Sequence, residues 1–195
     1  GAAGALGDAL AAHTGINTPL APVAYTVHRG YKPIFTPGQR ASSGLETLAE
    51  DGAPTDLVPM LPGEAGAAAI GRGASSPGPI FPPEGNYQFE ITASPGDRLS
   101  LVMMLVQSND WFYSLQDQAL FDAAGEPIEG DFTHAVELYD AGTEVDEPVG
   151  YGAYQAPRQP SLNRGPAEGG TVRRVTQMPY AQASNVLHLT ITPIQ

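Results

Sequence analysis

The chain of 195 residues contains no cysteine and only nine basic residues. Without cysteine it can form neither disulfide bonds nor thiolate metal sites, and it has no cysteine nucleophile. The 21 acidic residues give a formal net charge of −12, which disfavours nucleic acids and anionic membranes as partners because both attract cations. No apolar run approaches the roughly 20 residues that a membrane-spanning helix needs. We therefore expect no nucleic-acid binding and no membrane insertion, and the charge is compatible with cation binding.

Glycine and proline are abundant, at 23 and 19 residues, and favour turns and loops over long helices. Apolar periodicity predicts short strands that are separated by turns. The predicted strands cover residues 21–28, 87–91, 99–106, 133–139, 171–176 and 185–192. Residues 62–83 and 150–170 are predicted to be long loops. This pattern is typical of an all-β protein built as an antiparallel β-sandwich.

Helical signals are few. Ser43 and Glu46 match a capping box and Gly52 is a stop signal, so a helix is predicted over residues 43–51. Another short helix is predicted over residues 1–13, and a further turn over 56–60. We expect an N-terminal extension over residues 1–20 and one domain over residues 21–195.

Two acidic segments each follow a predicted strand. Residues 108–112 read Ser-Asn-Asp-Trp-Phe, and residues 139–144 read Tyr-Asp-Ala-Gly-Thr-Glu, with Asp146 and Glu147 close behind. Four acids in eight residues repel one another unless water solvates them or a cation neutralises them. Carboxylates in loops beside a glycine suit a hard cation such as calcium. The alternatives are a solvated acidic loop and, for Asp110, a carboxylate that caps its own turn.

A single-loop calcium site does not fit the second segment. An EF-hand that began at Asp140 would need Gly where the chain has Val145, and Glu where it has Tyr151. A calcium site here must therefore take ligands from more than one loop. The acids of the predicted helix, Glu46, Glu50 and Asp51, are interpreted as helix-surface residues.

Other catalytic or metal-binding patterns are weak. The four histidines lack the His-x-x-x-His spacing of a metal pair, and Gly-x-Ser-x-Gly is absent. His28 is expected to have a buried hydrogen-bonding role. His134 lies close in sequence to the acidic loop; we interpret it as a surface residue, with a transition-metal ligand as the alternative. The sequence therefore favours a protein that is not an enzyme.

Residues 99–112 and 139–144 resemble, in this order, the signature segments of the spondin N-terminal domain family. The second segment is similar to the Asp-Ala-Gly-Thr-Asp loop of that family. Upstream, His28, Phe35, Gly38 and residues 41–45 and 48–52 resemble its bacterial branch. The resemblance covers roughly residues 23–191, nearly the whole chain.

The resemblance implies a C2-like β-sandwich, usually extracellular, with one calcium ion. Carried over to this chain, the ligands would be Asp110, Asp140 and Glu144, the last in place of an Asp in animal members. Further ligand oxygens would come from Asp146, from Glu147 and from the backbone carbonyls of Tyr139 and Gly142. Animal members carry cysteines near these loops, so their receptor functions are not carried over to this cysteine-free chain.

We interpret the chain as an exported calcium-binding adhesion or assembly module. It is expected to be secreted, extracellular or periplasmic, and its start at Gly1 is consistent with a removed signal peptide and equally with a recombinant start. The partner would be a protein or glycan at a cell surface or in a larger assembly. Five aromatic residues are candidates for the binding surface, with a place in the core as the alternative for most of them: Trp111, Phe112, Tyr113, Tyr151 and Tyr154. The alternatives are a metal-free structural subunit of a larger complex and a metal-dependent hydrolase.

Overall fold

The fold is built around one antiparallel sheet. The computed structural model describes residues 18–61 and 87–194. Its strands are β1 (Ala24–Arg29), β2 (Asp97–Met104), β3 (Trp111–Ala119), β4 (Gly130–Asp131), β5 (Glu137–Asp140), β6 (Arg173–Arg174) and β7 (Thr190–Ile191). Five of them form a sheet in the order β1-β2-β3-β5-β6, and β4 pairs with β7. One α-helix, α1 (Ser43–Asp51), is described, with 3-10 turns at Val58–Met60, Thr133–Ala135 and Ala183–Asn185. The all-β, sandwich-like prediction with few helices is confirmed.

The central strands of the five-stranded sheet are largely buried on both faces, whereas the edge strand β6 is exposed. Strand β2 is buried from Leu99 to Met104, and these residues are apolar except for Ser100, which is typical of a strand covered on both sides. On one face Leu101 belongs to a core that includes Tyr113 and the C-terminal residues Tyr180 and Val186. The other face is covered by helix α1 and the residues around it, which form a second core with five main members. These are Leu45, Leu48, Phe35, Met104 and Phe112. Both cores hold the ends of β3 and β5 in fixed positions.

Helix α1 forms as its sequence predicts, with one change at its start. The cap is Ser42 rather than Ser43, because the Ser42 hydroxyl accepts a hydrogen bond from the Leu45 N–H at 3.2 Å. Gly52 ends the helix in the left-handed conformation at φ 68°. Glu50 was expected on the helix surface, and this expectation is wrong: the residue is 3% exposed. It faces the neighbouring loops rather than solvent.

The strand predictions differ in accuracy. Residues 21–28 and 99–106 are confirmed as β1 and β2 with shifted ends. Residues 133–139 begin as a 3-10 turn, and the last two predicted strands shrink to two paired residues each. Residues 87–91 form no extended strand, although Phe89 stacks on Tyr25 with ring centroids 4.0 Å apart. Strand β3 was not predicted, because both of its faces are buried near Trp111 and it shows no simple alternation there.

Two predictions lie outside the described residues, namely the helix over 1–13 and the loop over 62–83. Leu20 forms an antiparallel bridge with Leu105, so the chain already contacts the sheet before residue 21. Within residues 18–61 and 87–194, no helix has the length and apolar character needed to cross a membrane.

Candidate metal centre

Sheet pairing brings the two acidic segments together. Asp110 directly precedes β3 and Asp140 ends β5, and the register of these antiparallel strands places Trp111 opposite Asp140. The Ala141 N–H continues the pairing by donating to the Asp110 carbonyl at 3.1 Å. Both carboxylates therefore lie at the same end of the sheet, and both residues are buried.

A third segment, residues 166–170, runs along the acidic loop and adds Glu168. The Glu168 N–H donates to the Thr143 carbonyl at 2.9 Å, and the Gly170 N–H donates to the Gly142 carbonyl at 2.7 Å. Carboxylate oxygens of Asp110, Asp140 and Glu168 lie within 4.8 Å of one another. Sequence reasoning missed Glu168, because it sits in a long predicted loop with no local signal of a ligand.

Gly142 permits this close approach of the two segments. Its φ of 70° is in the left-handed region, and a Cβ atom there would lie 2.6 Å from the Thr171 carbonyl oxygen. Any larger residue would clash with backbone that cannot move independently. The glycine in the acidic loop is therefore needed for the third segment to reach the site.

Asp110 is the most constrained carboxylate of the group. Its Oδ2 accepts hydrogen bonds from the Thr143 N–H at 2.7 Å, the Thr143 hydroxyl at 3.1 Å and the Glu144 N–H at 3.0 Å. Its Oδ1 is buried and has no hydrogen-bond partner within the described residues. Burial raises the pKa of Asp110 although these bonds oppose the shift. An unpartnered buried carboxylate oxygen is costly, and a bound cation would satisfy it, so the residues fit a cation.

Asp140 already contacts a positive charge. Its Oδ1 accepts the Gly142 N–H at 2.6 Å, and its Oδ2 lies 2.6 Å from the Arg173 guanidinium. Arg173 also donates to both oxygens of Glu168 at 2.9 Å. Burial first, and then the charges of Asp110 and Asp146, raise the pKa of Asp140, while Gly142 and Arg173 offset part of the shift. Part of the acidic group is thus neutralised by the chain itself.

The side chains of Glu144 and Glu147 contact Asn109. The Asn109 amide nitrogen donates to one oxygen of each at 3.2 Å, and its carbonyl oxygen accepts the Glu147 N–H at 2.9 Å. The remaining Glu144 oxygen, Oε1, is buried against the backbone of Gly165. Burial, the larger effect, raises the pKa of this carboxyl, while hydrogen bonds from Asn109 and from the Gly165 backbone lower it. The Glu147 carboxylate accepts the N–H groups of Ala153 and Tyr154 at 2.9 Å each. The Glu147 carboxylate therefore already holds a loop in place.

The other predicted ligands lie nearby with varied surroundings. Asp146 is partly exposed and its carboxylate lies 3.8 Å from the Arg173 guanidinium. Tyr139 is paired within the sheet with Phe112 of β3 and Arg174 of β6. The Gly142 carbonyl accepts the Gly170 N–H, as described above. Glu144 is likewise outside the group of three oxygens that lie within 4.8 Å, so its role as a ligand stays a prediction.

A family model described as Spondin_N matches residues 16–184. The chain belongs to the Spondin_N family. Spondin_N is a family of extracellular domains, and the match confirms the resemblance drawn from the two acidic segments. The matched range includes every carboxylate of the candidate metal centre. No curated protein matches this chain.

The aromatic residues of this Spondin_N domain fall into two groups. Trp111, Phe112 and Tyr113 are at most 5% exposed and belong to the two cores, so their predicted role as a binding surface is wrong. They begin β3, which the sequence analysis did not identify as a strand. Tyr151 and Tyr154 are 69% and 38% exposed. Of the five, these two remain available to a partner.

The histidines of the Spondin_N domain that the structure describes give no metal site. His28 is buried and its ring nitrogens hydrogen-bond the Ser100 hydroxyl and the Gly30 carbonyl at 2.9 Å, which confirms its expected structural role. His134 is exposed and stacks on Phe132. Oxygen ligands thus dominate the candidate metal centre, which is the donor set that calcium prefers.

Proposed function

We propose that this Spondin_N chain is an extracellular adhesion or assembly module that binds one calcium ion. Asp110 would supply the central ligand, and Asp140, Glu144 and Glu168 would supply further oxygens. The observation that carries the proposal is the buried Asp110 Oδ1, which has no hydrogen-bond partner among the described residues. The bound ion would neutralise the clustered carboxylates and so stabilise the three loop segments.

The binding surface would be the loop that carries Tyr151 and Tyr154. Buried Gln155 holds this loop by accepting the Gly150 N–H at 3.1 Å, and the Arg158 guanidinium donates to the Gly152 carbonyl at 2.6 Å. Exposed tyrosines on an ordered loop offer contact area at low entropic cost. The loop is also linked to the metal centre, because Glu147 contacts both Asn109 and the Tyr154 N–H. A protein or glycan would thus meet a surface adjoining the bound ion.

A metal-free structural subunit is the second candidate, and one observation favours it. Arg173 already pairs with Asp140 at 2.6 Å and with Glu168 at 2.9 Å. If these ion pairs neutralise the centre sufficiently, no metal is needed. The domain would then act as a structural subunit that contacts its neighbours through its surface, without a bound ion.

Thermal unfolding in calcium and in EGTA separates the two candidates. Binding to the folded state at a hundred times Kd adds about 2.7 kcal/mol, or about 5–10 °C in a domain of this size. We expect wild type to show this rise and Asp110→Asn to lose it. Asp122→Asn, which changes an exposed turn acid, is the matched control and should keep it. If calcium does not raise the melting temperature of metal-free wild type, the metal-free structural subunit becomes the better-supported of the two functions.

A further inference from the structure

Asn109 is a buried amide that uses its whole hydrogen-bonding capacity. It lies directly before Asp110 and is 1% exposed. Its Nδ2 donates to Glu144 Oε2 and to Glu147 Oε2 at 3.2 Å each. Its Oδ1 accepts the Glu147 N–H at 2.9 Å and the Gln155 side-chain amide at 3.4 Å. A primary amide offers two N–H donors and two acceptor positions, so every one of them is occupied.

Two short connections join Asn109 to the candidate metal centre. The first is the peptide bond to Asp110, whose buried Oδ1 would contact the cation. The second runs through Glu144, because its N–H donates to Asp110 Oδ2 at 3.0 Å and its carboxylate accepts from Asn109. A change at Asp110 therefore reaches Asn109 through the backbone and through Glu144.

On its other side, Asn109 supports the loop that carries the two exposed tyrosines. The Glu147 carboxylate, held by Asn109, accepts the Ala153 and Tyr154 N–H groups at 2.9 Å each. A Cβ atom at Gly152 would clash with the same carboxylate, so the loop packs directly against it. A shift of Glu147 would therefore displace the backbone of this loop.

Electrostatic repulsion gives the cation a means of acting on the loop. Asn109 donates to both Glu144 and Glu147, and neither carboxylate forms an ion pair within residues 18–61 and 87–194. Without a cation these charges repel one another and the nearby Asp110, and such repulsion is strong where water is partly excluded. A bound cation would remove much of this repulsion, and Asn109 would then hold both carboxylates more firmly.

We propose that Asn109 is a positioning residue that couples cation binding to the order of the loop over residues 147–155. The inference rests on the proposed function, because it gives the same cation control over the surface with Tyr151 and Tyr154. The loop is more ordered in calcium than in EGTA, and a partner meets a better-defined surface when the ion is bound. By linkage, an ordered loop strengthens calcium binding by the same factor.

Amide hydrogen exchange of the 195-residue chain, followed by NMR in saturating calcium chloride and in EGTA, tests this coupling. The Thr143 and Glu144 N–H groups donate to Asp110 and report the cation. The Ala153 and Tyr154 N–H groups report the loop. In wild type we expect calcium to slow exchange at both pairs of amides, by about fivefold or more at the loop.

The turn at Asp122 is the internal control. Its carboxylate accepts the Ala124 and Glu126 N–H groups at 2.8 and 2.9 Å, as Glu147 does for its own loop. Asn109 does not hydrogen-bond this turn within the part of the chain that the structure describes. Exchange at these two amides should therefore stay within about twofold between calcium and EGTA.

Asn109→Ala should abolish the calcium response of the loop amides and leave the response at Thr143 and Glu144. A merely structural role would speed loop exchange equally in calcium and in EGTA, so the ratio of the two rates would not change. The matched control is Asn185→Ala, which removes a half-buried asparagine that donates to the Pro179 carbonyl, and it should keep the wild-type ratio. Asn109→Ser makes the same test if Asn109→Ala fails to fold.

The outcomes distinguish this inference from the proposed function. If calcium slows exchange at Thr143 and Glu144 but not at Ala153 and Tyr154 in wild type, only the coupling is overturned. If the loop amides of the Asn109 variant still respond to calcium, Asn109 is not the positioning residue, which also overturns the inference alone. If no amide of wild type responds, no cation binds, and the proposed function and the inference are both overturned.

Discussion

The Arg173 guanidinium lies 2.6 Å from the buried Asp140 carboxylate and contacts both oxygens of Glu168. The chain thus places its own positive charge where a cation would be attracted. Arg173 would therefore compete with the proposed cation, and in the metal-free protein it stabilises the buried Asp140 carboxylate.

Arg173→Gln is therefore expected to affect binding and stability in opposite directions. Without the competing charge, the calcium affinity should rise about tenfold, well within the energy of a unit charge at close range. The free energy of unfolding in EGTA should fall by about 1–3 kcal/mol, because Asp140 loses its partner. Titration calorimetry and urea unfolding measure the two effects. Arg174→Gln is the control, since Arg174 pairs with Glu137 at the surface; a weaker affinity in Arg173→Gln would contradict the competition.

The stability of the metal-free protein should depend on pH in an unusual direction. The pKa of Glu50 is raised to about 7 by burial and by the nearby Glu144, Glu46 and Asp110. The folded state therefore holds this proton more tightly than the unfolded state, and stability increases as pH falls through 7. The raised pKa of Asp140 acts in the same direction.

Between pH 8 and 5.5, Glu50 alone should add about 2 kcal/mol to the free energy of unfolding, or about 4–8 °C in melting temperature. Melting curves in EGTA across this range measure the effect. Glu50→Gln should flatten the profile substantially. A wild-type melting temperature that falls with acidification over this range would contradict the expected protonation.

Gly142 should tolerate substitution far less than another glycine of similar conformation. Gly125 also has a positive φ, of 86°, yet a Cβ atom there meets nothing within 4 Å. We expect Gly125→Ala to cost about 1 kcal/mol for its backbone conformation alone. Gly142→Ala adds a clash with the Thr171 backbone and should cost about 3 kcal/mol or more. Urea unfolding of both variants compares the two costs, and equal losses would show that residues 166–171 can move away.

Substitutions of Phe112 and Tyr151 compare a core position with an exposed one. Phe112→Ala should destabilise the protein by about 3–5 kcal/mol, because the ring is fully buried between α1 and the sheet. Tyr151→Ser should change stability by no more than about 0.5 kcal/mol. Chemical unfolding of both variants tests the division. A large loss in Tyr151→Ser would show that its loop contributes to the fold rather than to a binding surface.

The sequence predicts those features that depend on near neighbours. Capping signals give the bounds of α1, and the continuous apolar run gives β2. The two acidic segments are recognisable because each follows a strand, and the pairing of Trp111 with Asp140 explains why they meet.

The remaining site residues depend on contacts that local patterns do not contain. Glu168 reaches the centre only because residues 166–170 pair with the acidic loop. Outside the metal centre, Glu50 resembles an ordinary surface acid of an amphipathic helix, and only the folded structure shows that it is 3% exposed. Strand β3 shows no alternation of apolar and polar residues at its start, because Phe112 and Tyr113 face different cores and both are apolar.

The pairing of residues 166–170 with the acidic loop ties the candidate metal centre to completed folding. The grouped carboxylates come from two strand ends and from a late loop, so a nascent or partly unfolded chain has no preformed site. Calcium would then bind and stabilise only molecules that have finished folding. Resistance to proteases outside the cell would follow the surrounding calcium concentration, and calcium-poor surroundings would shorten the lifetime of the module.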